Sequence, residues 1–314
     1  MISFKDFQPE QALTLPDHPP FHDPYHNRPD YAIEKESGQG MAGPASVLSW
    51  VGSNLFLHLY PYGDPIPITD KSAVTYNHSG QSNSVIQEEN YVIVAWASNE
   101  ENGTGTKQMI SIVDISTRKV VREELVYVVP TKSGKPDSHD QPAITRTPDE
   151  VLHILMAGHH RDLKYSHSTN GQWDSFTDPV TVGVPNDGAG HTYPALVNDS
   201  NGSLYVFTRD ASVGYHFKLV LNKMDPDGIW VPQVTIAEPG RAMYGGYYHD
   251  AIVTLDDRVI VRSPGVLFAQ LVGDEIDLYD TLYPGEIDKS LIDDRGILQW
   301  QRTQNLHHPF QLEV

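Results

Sequence analysis

No cysteine occurs among the 314 residues, which excludes disulfide cross-links, Cys-based zinc sites and thiol nucleophiles, and leaves the redox compartment unmarked. Long apolar runs are also missing. The longest, such as Val151 to Ala157 (interrupted by His153), fall far short of the ~20 residues a membrane-spanning helix needs, so no membrane insertion is expected. Positive charge is scarce: 22 Lys and Arg stand against 41 Asp and Glu, for a formal net charge of -19. That balance argues against a nucleic-acid or anionic-membrane surface, where cations must replace counterions. Most of the carboxylates read as a solubilising surface, yet an acidic protein can take an anionic chain if its few cations converge in one cleft. Helix-period patterns are nearly absent.

What is present points to many short strands. Hydrophobic residues make up 39% of the chain, enough for a substantial core, while 24 glycines and 23 prolines are spread along it as turn punctuation. Residues 1–38 differ from the rest. The stretch from Leu15 to His26 holds four prolines and three histidines without periodicity, and we read residues 1–38 as an extended arm lying on the domain or reaching a partner. Proline breaks any register that would gather those histidines, so no metal site is assigned there. Residues 1–10 lack a basic stretch followed by an apolar core, so no signal peptide is expected.

Residues 39–314 are repetitive. Four segments share a polar or aromatic lead-in, a short apolar strand, a turn, and a β-branched and aromatic strand. They begin at Ser82, His139, His191 and Tyr248, with second strands at Tyr91–Trp96, Val151–Ala157, Leu204–Thr208 and Val259–Arg262. Third strands are expected at Gln108–Ile115, Leu163–Ser168 and Phe217–Met224, and fourth strands at Val120–Val129, Val180–Val184 and Trp230–Ile236. Aligning Ala143, Ala195 and Ala251 gives steps of 52 and 56 residues, the period of a four-stranded propeller blade. A fainter unit at 46–76 precedes these. The tail from Ile276 reads as irregular, with Gly296–Trp300 its best strand. The expected fold is therefore all-β, a β-propeller of about five four-stranded blades.

In a propeller the first strand of every blade lines the central channel, so matching positions meet in space although some fifty residues apart. Two places before the aligned alanines stand Gln141, Tyr193 and His249; four places before stand His139, His191 and Tyr247; Asn83 leads the preceding unit. Each alone is as well read as a hydrogen-bonded pillar between blades. As a set they form a ring of donors and acceptors suited to sugar hydroxyls. Arg209, at the end of a second strand, is either aimed into the cleft or paired with the neighbouring Asp210.

Several of these residues fall in a recognisable order. Asp137-Ser-His-Asp-Gln-Pro-Ala-Ile144, then His153-Ile-Leu-Met-Ala-Gly-His-His160, Thr192-Tyr-Pro194 and Phe207-Thr-Arg209 together resemble the BNR-type propellers of the ulvan lyase families. The resemblance spans roughly residues 80–265. It implies that His139 shares proton transfer, that Tyr193 acts as base, acid or both, and that Arg209 holds a uronate carboxylate. His159 and one of Tyr247 or Tyr248 would be supporting funnel residues; Asn83, His191 and His249, taken from the repeat register, complete the expected substrate-binding set. Two departures stand out: those families usually build seven blades, and the Asn expected after the motif His is Asp140 here.

The activity so implied is β-elimination on a uronate-containing, ulvan-like anionic polysaccharide. The proton on C5 is weakly acidic, so the carboxylate must be neutralised before a base can take it. Arg209 has the permanent charge and forked geometry for that task. Tyrosine ordinarily ionises near ~10, so a nearby cation would have to favour the phenolate of Tyr193. No cofactor is expected, and a structural or charge-neutralising divalent cation stays compatible with the reading. Two other functions remain open. A glycoside hydrolase would need paired carboxylates, for which Asp137, Asp140, Asp187 and Asp250 are available without any pair marked out. A non-catalytic glycan-binding or phage tail protein would use the arm for oligomer or virion docking. A lyase would be extracellular and a phage protein would sit in a virion.

Overall fold

The computed structural model describes residues 2–3, 13–15, 37–42, 46–51, 53–59, 64–70, 73–74, 84–88, 90–99, 105–130, 140–156, 161–183, 191–212, 216–239, 249–253, 257–263, 266–272 and 275–282. Two short pieces come first, β1 (Ile2–Ser3) and β2 (Leu13–Leu15). Five sheets follow in chain order. The first contains β3 (Ser37–Ala42), β4 (Ser46–Val51), β5 (Asn54–Leu59) and β6 (Ile66–Thr69). The second contains β7 (Val85–Gln87), β8 (Tyr91–Asn99), β9 (Gly105–Asp114) and β10 (Lys119–Pro130). In the third lie β11 (Ala143–Arg146), β12 (Leu152–Met156), β13 (Lys164–His167) and β14 (Val180–Thr181). The fourth holds β15 (His191–Asn198), β16 (Leu204–Ser212), β17 (His216–Met224) and β18 (Val234–Pro239). The fifth holds β19 (Asp250–Val253), β20 (Arg258–Ser263), β21 (Val266–Val272) and β22 (Glu275–Leu282).

Within each sheet the four strands lie side by side in chain order and antiparallel, which is the blade of a β-propeller. The first strands neighbour one another in the same order: β7 packs beside β3 and β11, and β15 beside β11 and β19. No helix occurs among the described residues. Five blades are described, as the repeat period predicts.

Side-chain alternation explains the stacking. In β8, Val92, Val94 and Trp96 face the first blade, while Ile93 and Ala95 face the third. In β16, Tyr205 and Phe207 pack toward the fifth blade, and Leu204 and Val206 toward the third. A strand apolar on both sides must be covered on both sides, so each blade is sandwiched between its neighbours. Four clusters fill the four successive interfaces, and burial of each large apolar side chain contributes roughly 1.5–3 kcal/mol.

The expected turns have the chemistry their residues dictate. Gly202 closes one hairpin at φ 89° and Gly228 another at φ 83°, a region where a Cβ is disfavoured. Asp199 accepts from the Asn201 and Ser203 amides at 3.0 and 2.9 Å, holding the first of these turns. Within the arm, β1 pairs antiparallel with β22 and β2 pairs parallel with β18, each adding a fifth strand to the outer edge of a blade. The strand β3 begins at Ser37, just inside the expected arm boundary. The tail differs from the sequence reading: β22 continues regularly to Leu282 and pairs along β21. Its register was hidden because Glu275, Asp277 and Asp280 interrupt the apolar positions. The Gly296–Trp300 strand lies outside the described residues.

Candidate functional site

The site is built at the start of β15. Its partners on β16 run His191 to Asp210 and Thr192 to Arg209, then resume at Ala195 to Phe207. Tyr193 and Pro194 together therefore oppose the single Thr208, which makes a β-bulge. Pro194 has no N–H for the ladder, and a residue before proline is driven out of the right-handed helical region. Tyr193 takes φ 57°, a left-handed conformation that costs a bulky residue on the order of 1–3 kcal/mol. In an unbroken strand Tyr193 would face away from Thr192 and Arg209. The bulge turns it to their side.

There the Arg209 guanidinium carbon sits 4.4 Å from the centre of the Tyr193 ring. Arg209 Nε donates to Thr192 Oγ1 at 3.0 Å. Arg209 is only 2% exposed and Tyr193 1%. An arginine withdrawn from water is costly unless its charge is compensated, and the ring face and the threonine oxygen supply part of that compensation. On the ladder Asp210 stands opposite His191 and Arg209 opposite Thr192. The His191 ring nitrogen Nδ1 lies 3.3 Å from Thr208 Oγ1.

The matching positions of other blades serve partly as pillars. Gln141 Nε2 donates to the Val74 carbonyl at 2.7 Å, and Val74 is itself tied to Ala97 of the second blade. His249 Nε2 lies 3.1 Å from the Phe207 carbonyl, linking the fifth blade to the fourth. Each reaches back to the preceding blade. Asp140 accepts from Thr106 Oγ1 at 2.6 Å, and its carbonyl from Gln108 Nε2 at 2.9 Å, another tie of this kind. Of the residues singled out from sequence, Tyr193 and Arg209 touch, His191 lies at the start of the same strand as Tyr193, and His249 is buried against the second strand of the fourth blade. His139, Asn83, His159, Tyr247 and Tyr248 lie outside the described residues.

A second buried polar set lies at the other end of the inner strands. Thr145 near the end of β11 bonds Asn198 at the end of β15 (2.5 Å), and this end is where His153 sits. His153 Nδ1 is 2.7 Å from the Tyr165 hydroxyl and Nε2 is 2.9 Å from Thr147 Oγ1, which also bonds Asp149 at 2.6 Å. The His153 and Tyr165 rings stack at 5.9 Å, His167 lies 5.8 Å from Tyr165, and Trp230 closes edge-on at 5.2 Å. Burial drives His153 down to about 4, with His167 adding to the shift and Asp149 opposing it. Burial also pushes the Tyr165 hydroxyl far above its ordinary range and lowers His167. The Thr147 hydroxyl holds Asp149 below the usual carboxylate value. Sequence reading noted His153 only as an interruption of an apolar run; its spacing from Tyr165 carries no signal until β12 and β13 pair. Among the described residues, no three His, Asp or Glu side chains are grouped to hold a metal ion.

Residues 94–230 match the model of a BNR repeat-containing family. No curated protein matches the sequence. Among solved structures, the chain is similar to a PL25 ulvan lyase, with 16% identity and a TM-score of 0.44 over 60% of this chain and 48% of that one. It is similar to a PL25 ulvan lyase bound to -[GlcA(1-4)Rha3S]-, at 15% identity and a TM-score of 0.44, over 60% and 48% of the two chains. An endo-arabinase from Bacteroides thetaiotaomicron aligns at 10% identity and a TM-score of 0.42, over 77% of this chain and 89% of that one. The chain spans about half the length of the ulvan lyases it matches.

Proposed function

We propose that the chain is a carbohydrate-active propeller that cleaves a uronate-containing polysaccharide by β-elimination at the mouth of its fourth blade. One observation carries the reading: a guanidinium held out of water over the face of a tyrosine, Arg209 on Tyr193. Elimination needs a fixed positive charge where a uronate carboxylate takes on enediolate character, and a proton-transfer group beside it. Arg209 provides the charge in every accessible protonation state. Its field also favours negative charge on the phenolic oxygen of Tyr193.

In the reaction Tyr193 takes the C5 proton, and the electron pair passes into the carboxylate as an enediolate. That pair returns to form the C4–C5 double bond as the C4–oxygen bond breaks. The leaving oxygen takes a proton from Tyr193 or from His139, the residue that the ulvan lyase resemblance puts in that role. Asp140, the neighbour of His139, is committed to the second blade by Thr106 and Gln108, which anchors the start of the segment preceding β11. The same commitment bears against a hydrolase reading built on Asp140 as one of two carboxylates flanking the bond.

The decisive experiment is Tyr193→Phe assayed on ulvan and on glucuronan for the absorbance of the unsaturated uronate. A positioned proton-transfer group is worth about 10²–10⁴ in rate, and a loss of that size with retained sugar binding is expected. A phenylalanine variant as fast as the parent protein would remove Tyr193 from the mechanism.

A further inference from the structure

The lyase reading names Tyr193 and Arg209 but leaves open what keeps a long, flexible arginine over the ring. We infer that Thr192 is a positioning residue, whose hydroxyl holds the Arg209 guanidinium over the Tyr193 ring. The inference rests on the proposed elimination for its chemistry but not for its geometry.

Three observations lead to it. Thr192 stands directly opposite Arg209 in the ladder, so both side chains leave the hairpin on one face. The contact falls on Nε, the inner nitrogen, at 3.0 Å. A guanidinium has five N–H donors, and Nε carries one. Anchoring there sets rotation of the group while engaging only that donor. Finally, the bulge that follows immediately is what swings Tyr193 under the cation, so one tripeptide, Thr192-Tyr193-Pro194, sets both members of the pair. Thr192 is 1% exposed, so water does not compete for the same nitrogen from its side.

Two readouts separate this from a purely structural role. In the first, ¹⁵N spectra of the arginine Nε–H groups are recorded for the parent protein, Thr192→Val and Thr192→Ser, with Arg209→Lys identifying the signal. A slowly exchanging Arg209 Nε–H is expected in the parent and in the serine variant, and its loss in the valine variant. In the second, rates on ulvan are measured across pH. Thr192→Val is expected to lower kcat about 10- to 100-fold, raise KM several-fold and move the limb of the pH profile that reports Tyr193 to higher pH. Thr192→Ser should stay within about threefold of the parent. If valine does not fold, Thr192→Ala, which opens space rather than crowding it, is read in the same way. A protected Nε–H that survives Thr192→Val, or an unchanged kcat, KM and pH profile, overturns the inference. If the spectral loss occurs but the parent forms no unsaturated product on ulvan or glucuronan, the positioning stands and the lyase reading falls.

Discussion

The third and fourth blades each bury a tyrosine beside nitrogen-bearing side chains, and the two sites do opposite things with them. At the mouth of the fourth blade Tyr193 lies under Arg209, a group that cannot shed its charge, on a strained bulge. At the far end of the third blade Tyr165 bonds His153 inside a stack of rings, on regular strands, where burial keeps the imidazole neutral. The first arrangement stores charge and strain, as reactive sites do; the second removes charge and satisfies its polar atoms, as cores do. Residue type alone does not separate them. Backbone register and the permanence of the neighbouring charge do.

The largest test of that contrast is Arg209→Met. If the fourth-blade cation stabilises the developing enediolate, elimination should slow about 10³-fold, the ~4 kcal/mol typical of losing a preorganised charge contact. The chain should stay folded, with a urea midpoint lowered by the loss of the Thr192 contact. A variant that loses its fold instead would show that the arginine is a structural strut.

A smaller effect is expected on acidification, and it belongs to the third blade. His153 titrates at about 4 in the folded protein, below the 6.5 of an exposed histidine. Between those values the unfolded chain binds more protons, so stability rises with pH. The contribution is complete above pH 6.5 and is lost as pH falls toward 4, roughly 3 kcal/mol in total. Urea titrations from pH 7 to 4 should show this slope, and His153→Gln should flatten it. An unchanged slope in that variant would assign the acid sensitivity elsewhere.

Smallest of all is Tyr165→Phe. Removing one buried hydroxyl from His153 Nδ1 should destabilise by about 1–2 kcal/mol, with no change in elimination rate. A rate loss comparable to that of Tyr193→Phe would erase the distinction between the two sites.

Much of the fold was legible because a blade repeats. Alternating apolar residues on both faces of Tyr91–Asn99 and Leu204–Ser212 announce strands covered on both sides, and Asp-Gly and Asn-Gly turns mark where they reverse. The site was legible only in part. The repeat register singled out Tyr193 and the strand end singled out Arg209; that the two side chains touch came only with the structure. The inter-blade duties of Gln141 and His249 could not be separated from ligand binding, since a side chain that lines a channel and one that bonds the adjoining carbonyl occupy the same register position. Thr192 was equally visible, but its partner lies 17 residues away across a hairpin.

By itself, the sequence determined the period of the blades, their stacking and the absence of any thiol chemistry. These follow from local alternation, turn residues and composition, which act over a few residues. Only the tertiary structure decided which tyrosine meets a permanent cation and which meets a neutral imidazole. One extra residue at Tyr193-Pro194 reverses the side-chain face, and no pattern read along one strand registers a reversal defined by its partner.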